Sequence, residues 1–158
     1  MRYVLLAVLI SVAALGAVIV LSVGRRAAEP GLPAQPAQAA SPSPLTQRDS
    51  GAGAVEVEVR LVVPGSPEAA KYGAETQTVF FVSMNTHSVD LSSYDLTVIS
   101  ELSAAGRTYA PVRWVSASDN THHRSGALIF PRVDLRVALE LRIKTIAGIP
   151  FRIFKWTP

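Results

Sequence analysis

Residues 55–63 read Val-Glu-Val-Glu-Val-Arg-Leu-Val-Val, and this stretch decides the fold class. Val55, Val57, Val59 and Leu61 alternate with Glu56, Glu58 and Arg60. A period of two is that of a strand with one face buried and one face in water. The run 135–146 repeats the pattern, with Leu135, Val137, Leu139, Leu141 and Ile143 on one side and Arg136, Glu140, Arg142 and Lys144 on the other. Between them lie strand-like runs at 78–84 (TVFFVSM), 95–102 (DLTVISEL), 107–114 (RTYAPVRW) and 126–130 (GALIF), and 150–156 (PFRIFKW) follows. TVFFVSM is apolar on both faces, which suits a central strand. Pro111 places its run at an edge or beside a bulge, because proline cannot donate to a ladder.

Seven short strands separated by Gly, Pro, Asn and Ser turns predict an all-β domain over residues 55–158. The expected architecture is a seven-stranded antiparallel immunoglobulin-like β-sandwich. Phe80, Trp114, Phe154 and Trp156 are its expected core fillers, although Trp156, near the chain's end, also suits an exposed contact. Pro67–Tyr72 suits a single helical turn. Glu56 and Glu58 are expected to pair with Arg142 and Lys144 across a ladder.

Outward from this domain the composition changes twice. Residues 27–54 hold five prolines, many alanines and almost no large apolar residue, so they read as a Pro/Ala-rich linker that cannot bury a core. Residues 1–26 contain the run Tyr3–Val23, 21 residues without charge or proline. As a helix it would span about 30 Å, the thickness of a bilayer's hydrocarbon core. The run is too long for a signal-peptide core and ends in Gly24-Arg25-Arg26 rather than a cleavage pattern. It reads as one retained transmembrane helix, a signal anchor in the cell membrane. Arginines on both sides leave the charge rule without a bias, and the bulk of the C-terminal part favours a periplasmic or extracellular domain. Ala7, Ser11 and Ala14 put small side chains on one helix face, where the backbone of another membrane helix could approach closely.

Charge excludes one class of function. The net +3 dissolves on division, because residues 55–158 carry eleven Lys/Arg against ten Asp/Glu. A basic footprint for nucleic acid is therefore not expected. The absence of cysteine removes disulfides, thiolate metal sites and cysteine nucleophiles. No nucleophile elbow, phosphate loop or zinc-protease motif is present, so no enzymatic activity and no resident cofactor are expected.

Chemistry-bearing residues concentrate in two polar loops, Asn85–Asp90 with His87, and Asp119–Gly126 with His122 and His123. If strands alternate in direction, these loops and the Ala147–Pro150 turn share one end of the sandwich. Imidazoles there, helped by Asp90, Asp119 or Met84, could hold copper or zinc. They could equally brace one loop against the other, with His87 bonding across. The segments FVSMNTHSVDLSSYDL, a strand ending at Trp114, HHRSGALIF and LELRIKTIAGIPFRIFKW resemble an uncharacterised family of membrane-tethered envelope β-sandwich domains. Its characteristic segments are THSVDL and HHRSG, and this chain departs from it at Asn120-Thr121, where the family carries a glycine pair. The resemblance implies a tethered envelope domain and no activity. Together these features suit a structural or accessory subunit docked on integral membrane protein subunits of a larger complex, respiratory or photosynthetic complexes being natural examples. The alternative is a copper- or zinc-binding envelope module using His87, His122 and His123.

Overall fold

The computed structural model describes residues 45–49 and 53–158. The expected membrane helix, its Ala7/Ser11/Ala14 face and most of the expected linker lie outside the described residues. The strands are β1 (Thr46–Asp49), β2 (Val55–Val62), β3 (Thr78–Thr86), β4 (Ser100–Ala104), β5 (Arg107–Tyr109), β6 (Arg113–Asp119), β7 (His123–Phe130), β8 (Leu139–Ile146) and β9 (Ile149–Trp156). They form a five-stranded sheet, β1-β2-β3-β7-β6, and a four-stranded sheet, β5-β4-β8-β9. Every ladder is antiparallel. The domain is an all-β sandwich.

The alternation in β2 does what its period predicts. Val55, Val57, Val59 and Leu61 are buried between the sheets with Phe80, Val82, Met84, Leu128 and Phe130 from one side and Leu102, Leu141, Ile143, Phe154 and Trp156 from the other. Burying each such side chain contributes about 2 kcal/mol of transfer free energy before the ordering cost. Phe80 sits at the centre, edge-on to Phe130 (centroids 5.8 Å apart) and tilted against Trp156 (4.9 Å). Trp156 is thus a core residue, its indole N–H donating to the Leu45 carbonyl at 3.0 Å. Trp114 is only half-buried.

β3 is central, as its doubly apolar pattern demands. Its outer face is covered by the β2–β3 connection, where the one-turn helix α1 (Ala69–Tyr72) brings Ala69 and Tyr72 against Val62, Val79, Ala127 and Ile129. Tyr72 and Phe81 lie 5.9 Å apart in that small outer core.

The described strands number nine against the expected seven because one strand is added and one splits, while two others are shorter than expected. Thr46–Asp49, within the stretch expected as linker, pairs with β2. The expected strand 95–102 begins as a helical turn, α2 (Leu96–Ile99), because Asp95 accepts from the Thr97 amide (2.9 Å) and caps it. The expected strand 107–114 breaks at Pro111, and its halves join different sheets as β5 and β6. The run 135–146 is strand only from Leu139. Two tight turns, Ala105-Gly106 and Ala147-Gly148, have positive φ at both positions and close the β4–β5 and β8–β9 hairpins as primed turns.

The expected cross-ladder pairs of Glu56 and Glu58 with Arg142 and Lys144 do not form, because these residues lie in different sheets. Arg48 of β1 instead meets both Glu56 (3.2 Å) and Glu58 (2.5 Å). Lys144 pairs with Glu101 at 2.5 Å, and Arg142 with Glu140 at 2.6 Å.

Candidate functional site at the histidine-loop end

Antiparallel pairing of β3 with β7 sets Asn85 opposite His123, so the two histidine segments meet at one end of the sandwich. The β8–β9 turn joins them there, the Ala147 amide donating to the Tyr94 hydroxyl at 3.0 Å. The expected clustering of loops is therefore present. What holds it together is mostly backbone and two side chains that the histidines had drawn attention away from.

Thr86 is the first. Buried at the end of β3, its hydroxyl donates to the Ala54 carbonyl (2.6 Å) and accepts from the Ser88 and Val89 amides (3.2 and 3.3 Å). One hydroxyl thus satisfies the turn that lifts His87 outward. Asp90 ends this turn by accepting from the Ser92 hydroxyl and amide at 2.6 and 2.9 Å. Those bonds, the hydroxyl's first, hold its carboxyl below the usual carboxylate range.

Arg124 is the second, and its guanidinium is largely buried, with the side chain 12% exposed. It donates to the carbonyls of Leu91 (3.0 Å) and Tyr94 (2.5 Å), approaches Asp119 at 3.4 Å, and lies over the Trp114 ring at 5.5 Å. Nη1 meets both carbonyls while the guanidinium plane covers the indole face, a combination that a planar cation supplies and an ammonium does not. We expect Arg124→Ala to lower stability by about 2–3 kcal/mol, the range of a single charged hydrogen bond, because water can reach the half-buried Tyr94 loop once the side chain is gone. Arg124→Lys should recover less than half for want of a plane to cover the indole. Urea denaturation midpoints check this, and a fully rescuing lysine would disprove the role of the guanidinium plane.

The histidines divide by role. His122 does the bracing that His87 was expected to do: its Nδ1 lies 3.3 Å from the Val89 carbonyl. A carbonyl only accepts, so Nδ1 is the donor in this contact. Its own backbone reinforces the contact, with the Thr86 amide donating to the His122 carbonyl (3.0 Å) and the Leu91 amide to that of Thr121 (2.8 Å). His123 points to the outer face, with Nδ1 3.0 Å from Asn85 Oδ1. His87 is exposed. His87 and His123 line one cleft of about 260 Å³ with Glu56 and Asn85, whereas His122 is not part of its wall. Among the described residues, no three His, Asp or Glu side chains are grouped as a metal-ligand set.

The arrangement can brace, present two imidazoles, and hydrogen-bond a ligand along a shallow polar wall. The two segments were legible in the sequence, whereas their hubs, Thr86 and Arg124, were not. The signal for Arg124 was its place directly after the two adjacent histidines, inside the HHRSG segment. Comparison with family models, curated proteins and solved structures finds no match to this chain.

Proposed function

We propose that the chain is a single-pass, membrane-anchored accessory subunit whose extracytoplasmic, immunoglobulin-like sandwich packs on a larger membrane protein complex. The observation that carries this reading is the union of the apolar run Tyr3–Val23 with a sandwich whose loop-end polar groups are spent on bracing one another. A module of that kind supplies shape and position. Ala7, Ser11 and Ala14 are its helix-partner face. Phe151 and Ile153, 56% and 48% exposed on neighbouring outward positions of β9, add an apolar contact surface on the domain. The resemblance of the THSVDL and HHRSG segments to tethered envelope domains agrees with this reading.

Purification of the full chain from its native membrane in mild detergent is expected to bring down integral membrane subunits in fixed proportion. A chain that elutes alone sinks the proposal. The copper or zinc alternative draws on the cleft shared by His87 and His123. Metal analysis of the same preparation answers it: near-zero copper and zinc in both the unaltered chain and His87→Ala ends that reading.

A further inference from the structure

We infer that the sandwich end opposite the histidine loops is a surface for anionic lipid headgroups, with Arg107, Arg113 and Arg132 as its contacts. The inference rests on the anchored reading above and adds to it which end of the domain meets the bilayer, and through which side chains.

The entry of the chain into the fold picks the end. The Leu45 carbonyl, immediately before β1, accepts from the Leu61 amide (2.9 Å) and the Trp156 indole (3.0 Å). The polypeptide leading back to the apolar run therefore leaves where β2 and β9 finish. The same end carries the β4–β5 turn, with Ala104 opposite Leu139 and Leu139 opposite Trp156, and the connection from β7 to β8. Residues 24–44 number 21, so even fully extended they reach no more than about 75 Å. An end confined so near a membrane meets its headgroups at high effective concentration, and weak contacts suffice.

Charge is distributed to match. At this end Arg136 is neutralised by Asp134 (2.9 Å) and Glu68 by Arg60 (2.5 Å). Arg132 donates to a backbone carbonyl, that of Glu75, and Arg113 to the neutral amide of Gln77 (3.2 Å). Lys71 lies over the Tyr72 ring at 4.9 Å. Arg107 is exposed. Among the described residues none of Arg107, Arg113, Arg132 and Lys71 forms an ion pair, while Glu75 is the acidic residue near them outside one. At the opposite end the carboxylates of Asp90 and Asp95 cap turns and, among the described residues, form no salt bridge. Arg132 and Arg136 also line a cleft of about 560 Å³ with Pro64, Gln77 and Asp134, whose carboxylate is held by Arg136, and the cleft has room for a phosphodiester beside Arg132. A guanidinium fork is the group that fits such an oxyanion in two bonds.

The cysteine-free chain makes the test direct. The full chain is reconstituted in nanodiscs, with a single fluorophore on Ala105→Cys in the tether-end turn or on Thr121→Cys in the far loop, and is read by a quencher in the lipid. With phosphatidylglycerol present, quenching at 105 is expected to exceed that at 121 several-fold. In pure phosphatidylcholine or in high salt the two should converge. Each Arg→Glu change at 107, 113 or 132 should weaken the surface-bound state by about fivefold or more. Arg107→Glu, at an exposed position, serves if the variants at 113 or 132 do not fold. Equal quenching at both positions, or no response to phosphatidylglycerol, overturns the inference, as does capture of a protein rather than lipid by a crosslinker at 105. Alkaline carbonate separates the two readings: a chain that resists extraction yet ignores lipid charge keeps its anchor and loses this surface, and a chain that is extracted loses both.

Discussion

Replacing Arg152 with alanine is expected to destabilise the domain by about 3–5 kcal/mol, the range for breaking a buried ion pair. Arg152 lies on β9 at the inward position that Phe154 and Trp156 continue, and it is 1% exposed. Its Nη1 donates to Asp49 Oδ2 on β1 at 2.8 Å. β1 is an edge of the five-stranded sheet and β9 an edge of the four-stranded one, so the pair fastens the two sheets along one seam. Among the described residues Nε and Nη2 have no hydrogen-bond partner, which leaves Asp49 as the main compensation there for a cation held out of water. The two single variants are therefore unequal. Arg152→Ala leaves a carboxylate that is already 30% exposed and can rehydrate, whereas Asp49→Ala leaves a guanidinium that cannot. Asp49→Ala should cost at least as much. The double variant Asp49→Leu/Arg152→Leu should recover most of the loss, because removing both charges removes the desolvation cost with the attraction. Chemical denaturation of the four proteins decides it; an Asp49→Ala variant within about 1 kcal/mol of the parent would show that the pair does not hold the seam.

That seam also explains which parts of the fold the sequence concealed. Long alternating runs announce themselves, and β2 and β8 were legible because their inward sets are large and apolar, whereas β9 was legible from its aromatic content despite the inward Arg152. TVFFVSM was legible as central, although the reason for its second buried face, the α1 segment resting on Val79 and near Phe81, was not. Thr46–Asp49 carries no such pattern. Its pairing is set by Arg48 reaching Glu56 and Glu58 and by Asp49 reaching Arg152, 103 residues away, and no local period encodes a contact of that span. The misplaced partners of Glu56 and Glu58 follow from the same blindness. Charge complementarity names compatible residues but not the sheet in which each lies. At Leu96–Ile99 a run rich in β-branched residues favoured strand, and a single capping carboxylate on Asp95 prevailed.

At the histidine end the segments were legible and the roles were not. Imidazoles attract a ligand reading because of what they can coordinate. Arg124 and Thr86 do the holding by virtue of where burial puts them, which is a property of the packed sandwich. His122 took the brace expected of His87 because β7 begins one residue later, so its backbone already lies against Thr86 and Leu91.

Gly126, in the same HHRSG segment, yields the second large effect. Its backbone needs no left-handed angle; what it needs is an empty side. A Cβ built there would stand 2.5 Å from the Val115 carbonyl and 2.6 Å from Trp114 Cζ2. Neither neighbour can yield freely, since Val115 is held in the β6–β7 ladder and the Trp114 ring is pinned beneath the Arg124 guanidinium. The irregular register between Ser116 and Ser118 follows directly, where β6 bulges past the glycine. Gly126→Ala should therefore cost about 2–3 kcal/mol and Gly126→Val more, as overpacking against backbone does. If displacement of the indole is the cause, the loss should be strongly coupled to Trp114: in Trp114→Ala the added methyl should cost less than half as much. The disturbance should also travel. A shifted indole loosens Arg124, and with it the carbonyls of Leu91 and Tyr94, so amide exchange at Leu91 should quicken in Gly126→Ala before global unfolding does. Additive losses with unchanged Leu91 exchange would mean that the glycine serves the β6–β7 ladder alone, and that the loop end is braced independently of the strand beneath it.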